Sequence, residues 1–206
     1  MPHKDKLIAE IANRMPFIEK RHLDLLFSIA ETRKVHKGEI LTKPGEINMM
    51  LAFVLTGLLR SYYEKDGEEK TFLFFPEFTM AACYESIFLH KPVRQIIEVV
   101  EDGELLMMNY SHLEKIQKND PDFLEVSNRY LQHYLAQLLQ RIEMHVLESP
   151  EERYLHMIKE SLDLVNRIPQ KYLASYLGIT PVSLSRIRAR VFRRLKNEKI
   201  NSPEKD

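Results

Sequence analysis

At 206 residues, 44% hydrophobic and 29% charged, the chain is long enough to bury a sizeable core and to hold two small domains, or one domain with a docking module. Its single cysteine, Cys83, excludes an internal disulfide and a multi-cysteine metal or iron–sulfur site. No apolar run approaches the roughly 18 residues that span a bilayer, and the charged start MPHKDKLIAEIANRM lacks the apolar core of a signal peptide, so a cytoplasmic protein without a membrane partner is expected.

Residues 1–31 read as helical, with Leu7, Ile8 and Ile11 before the break at Pro16 and Leu23, Leu26 and Phe27 after it. From Thr32 to Met108 the texture changes. Glycine and proline marks recur at Lys37-Gly38, Pro44-Gly45, Thr56-Gly57, Asp66-Gly67 and Asp102-Gly103, with the runs LAFVL, LLRSYY, TFLFF, QIIEVV and ELLMM between them. Short apolar runs between turn signals at this spacing suggest several short strands in a sandwich or barrel. Asp66-Gly67 suits a hairpin turn, because glycine takes positive φ at little cost.

After Ser111 the pattern is helical again. Asp120-Pro121 is a helix start, a capping side chain followed by proline at the first helical position. The helix it opens runs to about Leu147 without glycine or proline. Leu124, Leu131, Leu135, Leu138, Ile142 and Val146 lie along it at spacings of three, four and seven. Such a stripe can be ordinary core or the seam against a second copy of the helix; the length favours the second copy. Ser149 and Glu152 then stand in capping-box spacing, a restart that marks the best candidate hinge.

Formal net charge is zero, but it is unevenly spread. Residues 149–206 carry 12 Lys+Arg against 7 Asp+Glu, and seven of these basic residues fall between Pro181 and Lys199. A concentrated basic stripe is either a phosphate-binding footprint or a solvated helix face. The segment Gln170–Ile187 favours the former, although some of the arginines can still serve only as a solvated face. Two short helices crossing steeply need a small residue at the crossing and a left-handed residue in the turn, and Ala174 and Gly178 stand there. Leu173, Leu177, Ile179, Leu184 and Ile187 supply the apolar contacts, and Thr180-Pro181 opens the second helix. The expected element is a helix-turn-helix over about Pro169 to Lys196.

On the second helix, 100° per residue buries Leu184, Ile187 and Val191. The opposite face carries Val182, Arg186, Ala189 and Arg193, flanked by Ser183, Ser185 and Arg190. The first turns of a recognition helix lie deepest in the major groove. Arg186 is therefore the candidate for bidentate contact to guanine, and Val182 for packing on a thymine methyl. Ser183, Ser185, Arg190, Arg193 and Arg194 are candidate phosphate contacts.

This layout resembles the Crp/Fnr family of transcription regulators over nearly the whole chain. In the β segment the resemblance rests on Lys37-Gly38-Glu39, Pro44-Gly45-Glu46 and Val54-Leu55-Thr56-Gly57-Leu58-Leu59-Arg60. It implies an α+β chain: a double-stranded, jelly-roll-like β-roll flanked by helices (residues 1–119), a long dimerisation helix (120–148) and a helix-turn-helix domain (149–206). Arg186 matches the family's base-reading arginine, whereas Pro181 and Val182 replace an arginine and a glutamate of its cyclic-AMP receptor, so a different DNA site is implied.

The effector site departs further. Arg94 matches the arginine of the family's phosphate cassette, but Cys83-Tyr84 replaces Gly-Glu, and Gln95-Ile96 replaces Ser/Thr-Ala. Tyr84 cannot accept two ribose hydroxyls as a carboxylate does, and Ile96 is bulky beside a phosphate. Tyr84, Glu85, Arg94 and Gln95 remain the candidate pocket, with cyclic nucleotide not the expected ligand and no cofactor expected. Lone His90 and His112 are read as structural rather than as heme or metal ligands. With only about ten residues after Lys196, the family's β-wing is expected to be reduced or absent.

The expected function is that of a homodimeric, sequence-specific DNA-binding regulator on a near-palindromic site, with RNA polymerase as a further partner and an unidentified effector in the β-roll. A ligand-sensing or interaction module that has lost DNA binding is the alternative. No catalytic motif rises above background, so an enzyme is not expected.

Overall fold

The computed structural model describes residues 8, 9, 11, 13 and 15–201, with side chains described to Arg194. The chain divides into two compact units, Met1–Glu68 with Phe72–Leu138, and Glu69–Thr71 with Leu139–Asp206.

In the first unit, the helical residues 8, 9, 11 and 13 and helix α1 (Lys20–Ile29) precede strand β1 (Glu31–Val35). The strands β2 (Met50–Lys65), β3 (Glu68–Phe75), β4 (Met80–Ala82) and β5 (Ile96–Asn109) follow, with the short helix α2 (Tyr84–Leu89) between the last two. The sheet order is β1-β5-β2-β3, with β4 also paired to β2. The pairings of β5 with β1 and of β2 with β4 and β5 are antiparallel. Helices α3 (Tyr110–Asn119) and the start of α4 (Pro121–Leu147) complete the unit.

Both faces of the sheet are covered, which explains why β2 reads as an unbroken apolar run rather than an alternation. Leu51, Phe53 and Leu55 face a core shared with the helices, whereas Ala52 and Val54 face a second core with Phe75, Val99 and Leu105. The hairpin turn expected at Asp66-Gly67 is present, both residues having positive φ (54° and 75°).

Two of the expected turns are not turns. Thr56-Gly57 and Asp102-Gly103 lie inside β2 and β5, which run through as strands of 16 and 14 residues with register shifts between Val54 and Leu59. The glycines instead mark where two backbones touch. A Cβ on Gly103 would sit 2.0 Å from the Thr56 carbonyl oxygen, and one on Gly57 would sit 2.8 Å from that of Asp102. Glycine inside a strand marks a bulge or a close backbone approach as readily as it marks a turn.

Helix α4 starts as its sequence requires, with Asp120 Oδ1 accepting the Phe123 N–H at 3.0 Å, and it runs for 27 residues. Helices α5 (Pro150–Arg167), α6 (Gln170–Tyr176) and α7 (Pro181–Asn201) belong to the second unit. The capping box at Ser149 and Glu152 is formed. Its core gathers Tyr154, Met157, Val165, Ile168, Leu173, Ala174, Leu177, Leu184, Ile187 and Val191, all buried.

Candidate nucleic-acid interface

Helices α6 and α7 form the expected pair. Ala174 is fully buried and its carbonyl accepts the Ile179 N–H at 3.0 Å, so the chain reverses directly over it. Gly178 has φ +72°, the left-handed value the tight turn demands. Thr180 Oγ1 caps α7 by accepting the Ser183 N–H at 3.2 Å. Gln170 Nε2 donates to the Pro181 carbonyl at 2.9 Å, which ties the start of α6 to the first turn of α7.

Leu184, Ile187 and Val191 are buried, as their helical spacing predicts. Val182, Ser185, Arg186, Ala189, Arg190, Arg193 and Arg194 are exposed, and Ser183 is half-buried. Helix α7 continues to Asn201, beyond the end expected near Lys196. Its Arg-, Lys- and Leu-rich sequence has no breaker before Pro203. Whatever wing residues 202–206 contribute lies outside the described residues.

The exposed cations are not equivalent. Arg186 has no ion-pair partner among the described residues. Arg190 is held by Glu151, its Nε and Nη2 both donating to Glu151 Oε2 at 2.9 and 2.6 Å. Arg193 donates from Nε to the Ala189 carbonyl at 3.2 Å, and the Ser183 hydroxyl is shared with Thr180 at 3.0 Å. Arg186, Arg190, Ser183 and Glu151 line a concavity of about 440 Å³. One side of this site therefore carries its own carboxylate.

Arg153 organises the unit from inside. Its Nη1 donates to the carbonyls of Glu148 and His145 at 2.8 and 3.4 Å, and its Nη2 to that of Leu177 at 2.9 Å. One nearly buried guanidinium thus satisfies carbonyls at the end of α4 and another at the end of α6, groups that helix geometry leaves without partners. Arg141, its guanidinium 3.7 Å from the centroid of the Tyr176 ring, makes a second such tie by cation–π contact. Neither arginine, nor the Glu151–Arg190 pair, is singled out by spacing. For Arg153 there was a signal: a charge at i−4 from Met157, on the face that carries the apolar residues of α5.

Of the four candidate pocket residues of the first unit, Glu85 and Arg94 are brought together, but Tyr84 points away from them. Arg94 Nη2 donates to Glu85 Oε1 at 3.1 Å, both side chains being solvent-exposed. Gln95 Nε2 donates to the Ala82 carbonyl. Tyr84 turns the other way, stacking on Phe88 and packing on Tyr134 with ring centroids 5.7 and 5.0 Å away. Its neighbour Cys83 is buried in the core on the opposite side, where burial pushes the thiol pKa up. No group of three or more potential metal ligands occurs among the described residues.

No protein-family model matches the sequence, and no curated protein sequence matches it. Solved structures do match the fold. The c-di-GMP-responsive global regulator CLP of Xanthomonas campestris superposes with a TM-score of 0.69 at 13% identity, covering 85% of this chain and 93% of its own. A CooA mutant from Carboxydothermus hydrogenoformans gives 0.64 at 18% identity, over 82% and 79% of the two chains. The catabolite activator protein of Thermus thermophilus gives 0.53 at 18%, over 86% and 85%. This chain has the fold of these regulators. The α+β architecture of a β-roll joined to a helical unit, expected from the resemblance, is thereby shown. No helix among the described residues is long and apolar enough to cross a membrane.

Proposed function

We propose that this chain is a Crp/Fnr-type transcription regulator that binds double-stranded DNA in a sequence-specific manner as a homodimer. The observation that carries this is the exposed guanidinium of Arg186, without an ion-pair partner among the described residues and beside exposed Val182, on a helix whose opposite face is buried in a complete helix-turn-helix. Arg186 reads a guanine edge and Val182 packs on a thymine methyl, while Arg190, Arg193, Arg194, Ser183 and Ser185 contact phosphate and sugar.

The dimer is supported by α4. Leu124, Leu135, Ile142 and Val146 are exposed in the single chain, and Leu131 and Leu138 are half-buried, a stripe that a second copy would cover. Two recognition helices so joined enter successive major grooves about 34 Å apart, which requires a near-palindromic site. The proposal divides the chain into a sensor domain over 1–119, a dimer helix over 120–148 and a DNA-binding domain over 149–206. It makes RNA polymerase a partner, places the protein in the cytoplasm and assigns no catalytic role. An effector held in the β-roll unit sets the DNA-binding state, and the placement of Tyr84, Glu85, Arg94 and Gln95 argues that it is not a cyclic nucleotide.

Selection of bound sequences from a random duplex pool tests the proposal. Enrichment of a two-fold symmetric site is the expected result, with affinity falling steeply as salt rises. Absence of binding even at low salt would instead favour an interaction module that has lost DNA binding.

A further inference from the structure

The first unit holds a pocket of about 110 Å³, bounded by α1, α2, α3, α4, Ile11, Met15 and one face of the sheet. Phe27, Phe53, Leu106 and Met108 form much of its wall. Of the cassette positions Tyr84 lines it, whereas Glu85, Arg94 and Gln95 do not, and Cys83 lies on the other side of the sheet. No charged side chain among the described residues lines it.

Three of the lining groups are phenols, Tyr84, Tyr110 and Tyr130, and burial acts most strongly on Tyr84 and Tyr130. The Tyr84 hydroxyl has no hydrogen-bond partner among the described residues. The Tyr130 oxygen accepts the Met80 N–H at 3.1 Å, which leaves the Tyr130 proton to donate. Burial raises the pKa of these two phenols, so both keep their protons at any physiological pH. A pocket whose wall is so largely apolar gains by admitting an apolar guest, and a hydrogen-bond donor on that wall discriminates among guests.

We propose that this pocket is a binding site for a small, uncharged, ring-sized apolar molecule that carries one hydrogen-bond acceptor, received by Tyr84 and Tyr130. An anion is excluded because its desolvation would go uncompensated in a wall without a cation. Binding rests on the pocket alone; only its coupling to DNA binding rests on the function proposed above.

Calorimetric titration of the full-length protein, without DNA, with acetophenone, ethylbenzene and benzoate tests the site. Acetophenone is expected to bind once per chain, about tenfold more tightly than ethylbenzene, the difference that one net hydrogen bond makes. Benzoate is expected to bind at least about tenfold more weakly than acetophenone. The double substitution Y84F/Y130F should bring acetophenone and ethylbenzene to equal affinity, and Leu113→Trp, which fills the pocket, should abolish both. If Leu113→Trp fails to fold, the phenylalanine pair still decides. Absence of saturable acetophenone binding, equal affinity for acetophenone and ethylbenzene in the unmodified protein, or benzoate binding as tight as acetophenone would overturn the proposal. Since DNA is absent, none of these outcomes bears on the helix-turn-helix.

Discussion

The two units hold their polar groups in opposite ways. In the β-roll unit, Arg60 is buried against Glu98 and stacked 4.2 Å from the centroid of the Tyr62 ring, and Arg94 is tied to Glu85. Phosphate would have to break the Arg94 pair, and Tyr84 has turned into an apolar layer. In the helix-turn-helix unit the buried arginine is spent on carbonyls rather than on a carboxylate, and Arg186 stands exposed without an acidic partner among the described residues. Summing charge over the chain gives zero and hides this contrast. What separates a ligand-facing cation from a structural one is the partner it already has.

The contrast extends to what each unit depends on, and two substitutions should break them differently. Gly103→Ala places a methyl within 2.0 Å of the Thr56 carbonyl oxygen, where only backbone can move. It should cost at least about 3 kcal/mol of unfolding free energy. Gly38→Ala is the matched control, with positive φ but nothing within 4 Å of the added carbon, and should cost only about 1–2 kcal/mol. Equal losses for the two in denaturant melts would mean that the β2–β5 contact is not the determinant. In the second unit, Arg153→Met removes the donors to the Glu148, His145 and Leu177 carbonyls. It should cost about 2–3 kcal/mol and lower DNA affinity at every sequence alike. Loss of stability with unchanged DNA affinity would show that this guanidinium does not position the recognition helix.

These same residues show where sequence reading succeeds and where it stops. Ala174, Gly178 and the Thr180-Pro181 start are legible because local sterics admit few alternatives, and the long α4 is legible from an unbroken helical pattern between two capping signals. Gly57 and Gly103 were misread as turns because a glycine that lets two distant backbones touch looks, in one dimension, like a glycine that lets one backbone reverse. The Glu151–Arg190 pair spans 39 positions and depends on how three helices pack. No periodicity encodes it. Tyr84 differs from a ribose-binding carboxylate in sequence alone, but the apolar pocket it lines is assembled from five segments of chain and is invisible before they fold.

Within the proposed DNA face, the division between cations with and without an ion-pair partner among the described residues can be sharpened. Arg186→Ala should cost about 1–3 kcal/mol on the preferred site and relax selection at one base position of each half-site. Arg193→Ala should weaken preferred and random duplexes equally, because a phosphate contact carries no sequence information. A gel-shift series with both substitutions checks this; identical profiles would remove the distinction. Glu151→Gln should act in the opposite direction. Freed from its carboxylate, Arg190 becomes available to phosphate, so non-specific affinity should rise and the slope of log affinity against log salt should steepen by about one. An unchanged slope would mean that Arg190 never faces the backbone.

The smallest expected effect lies at the capping box where α5 begins. Glu152 accepts the Ser149 N–H at 2.8 Å, and hydrogen bonds from Ser149 hold its carboxyl below the usual glutamate range. A carboxyl with a lowered folded-state pKa stabilises the native protein above its unfolded-state pKa, and that contribution is lost as pH falls through the folded value. Glu152→Gln keeps an acceptor but not the charge. Its melting temperature should therefore fall below that of the unmodified protein at neutral pH, and the gap should close as both are taken below about pH 4. The carboxyl is fully exposed, so solvent screening keeps the gap small. A gap of constant size from pH 7 to pH 3 would mean that the cap acts through shape alone. The restart at Ser149 would then be fixed by proline geometry and by Arg153, without help from the charge.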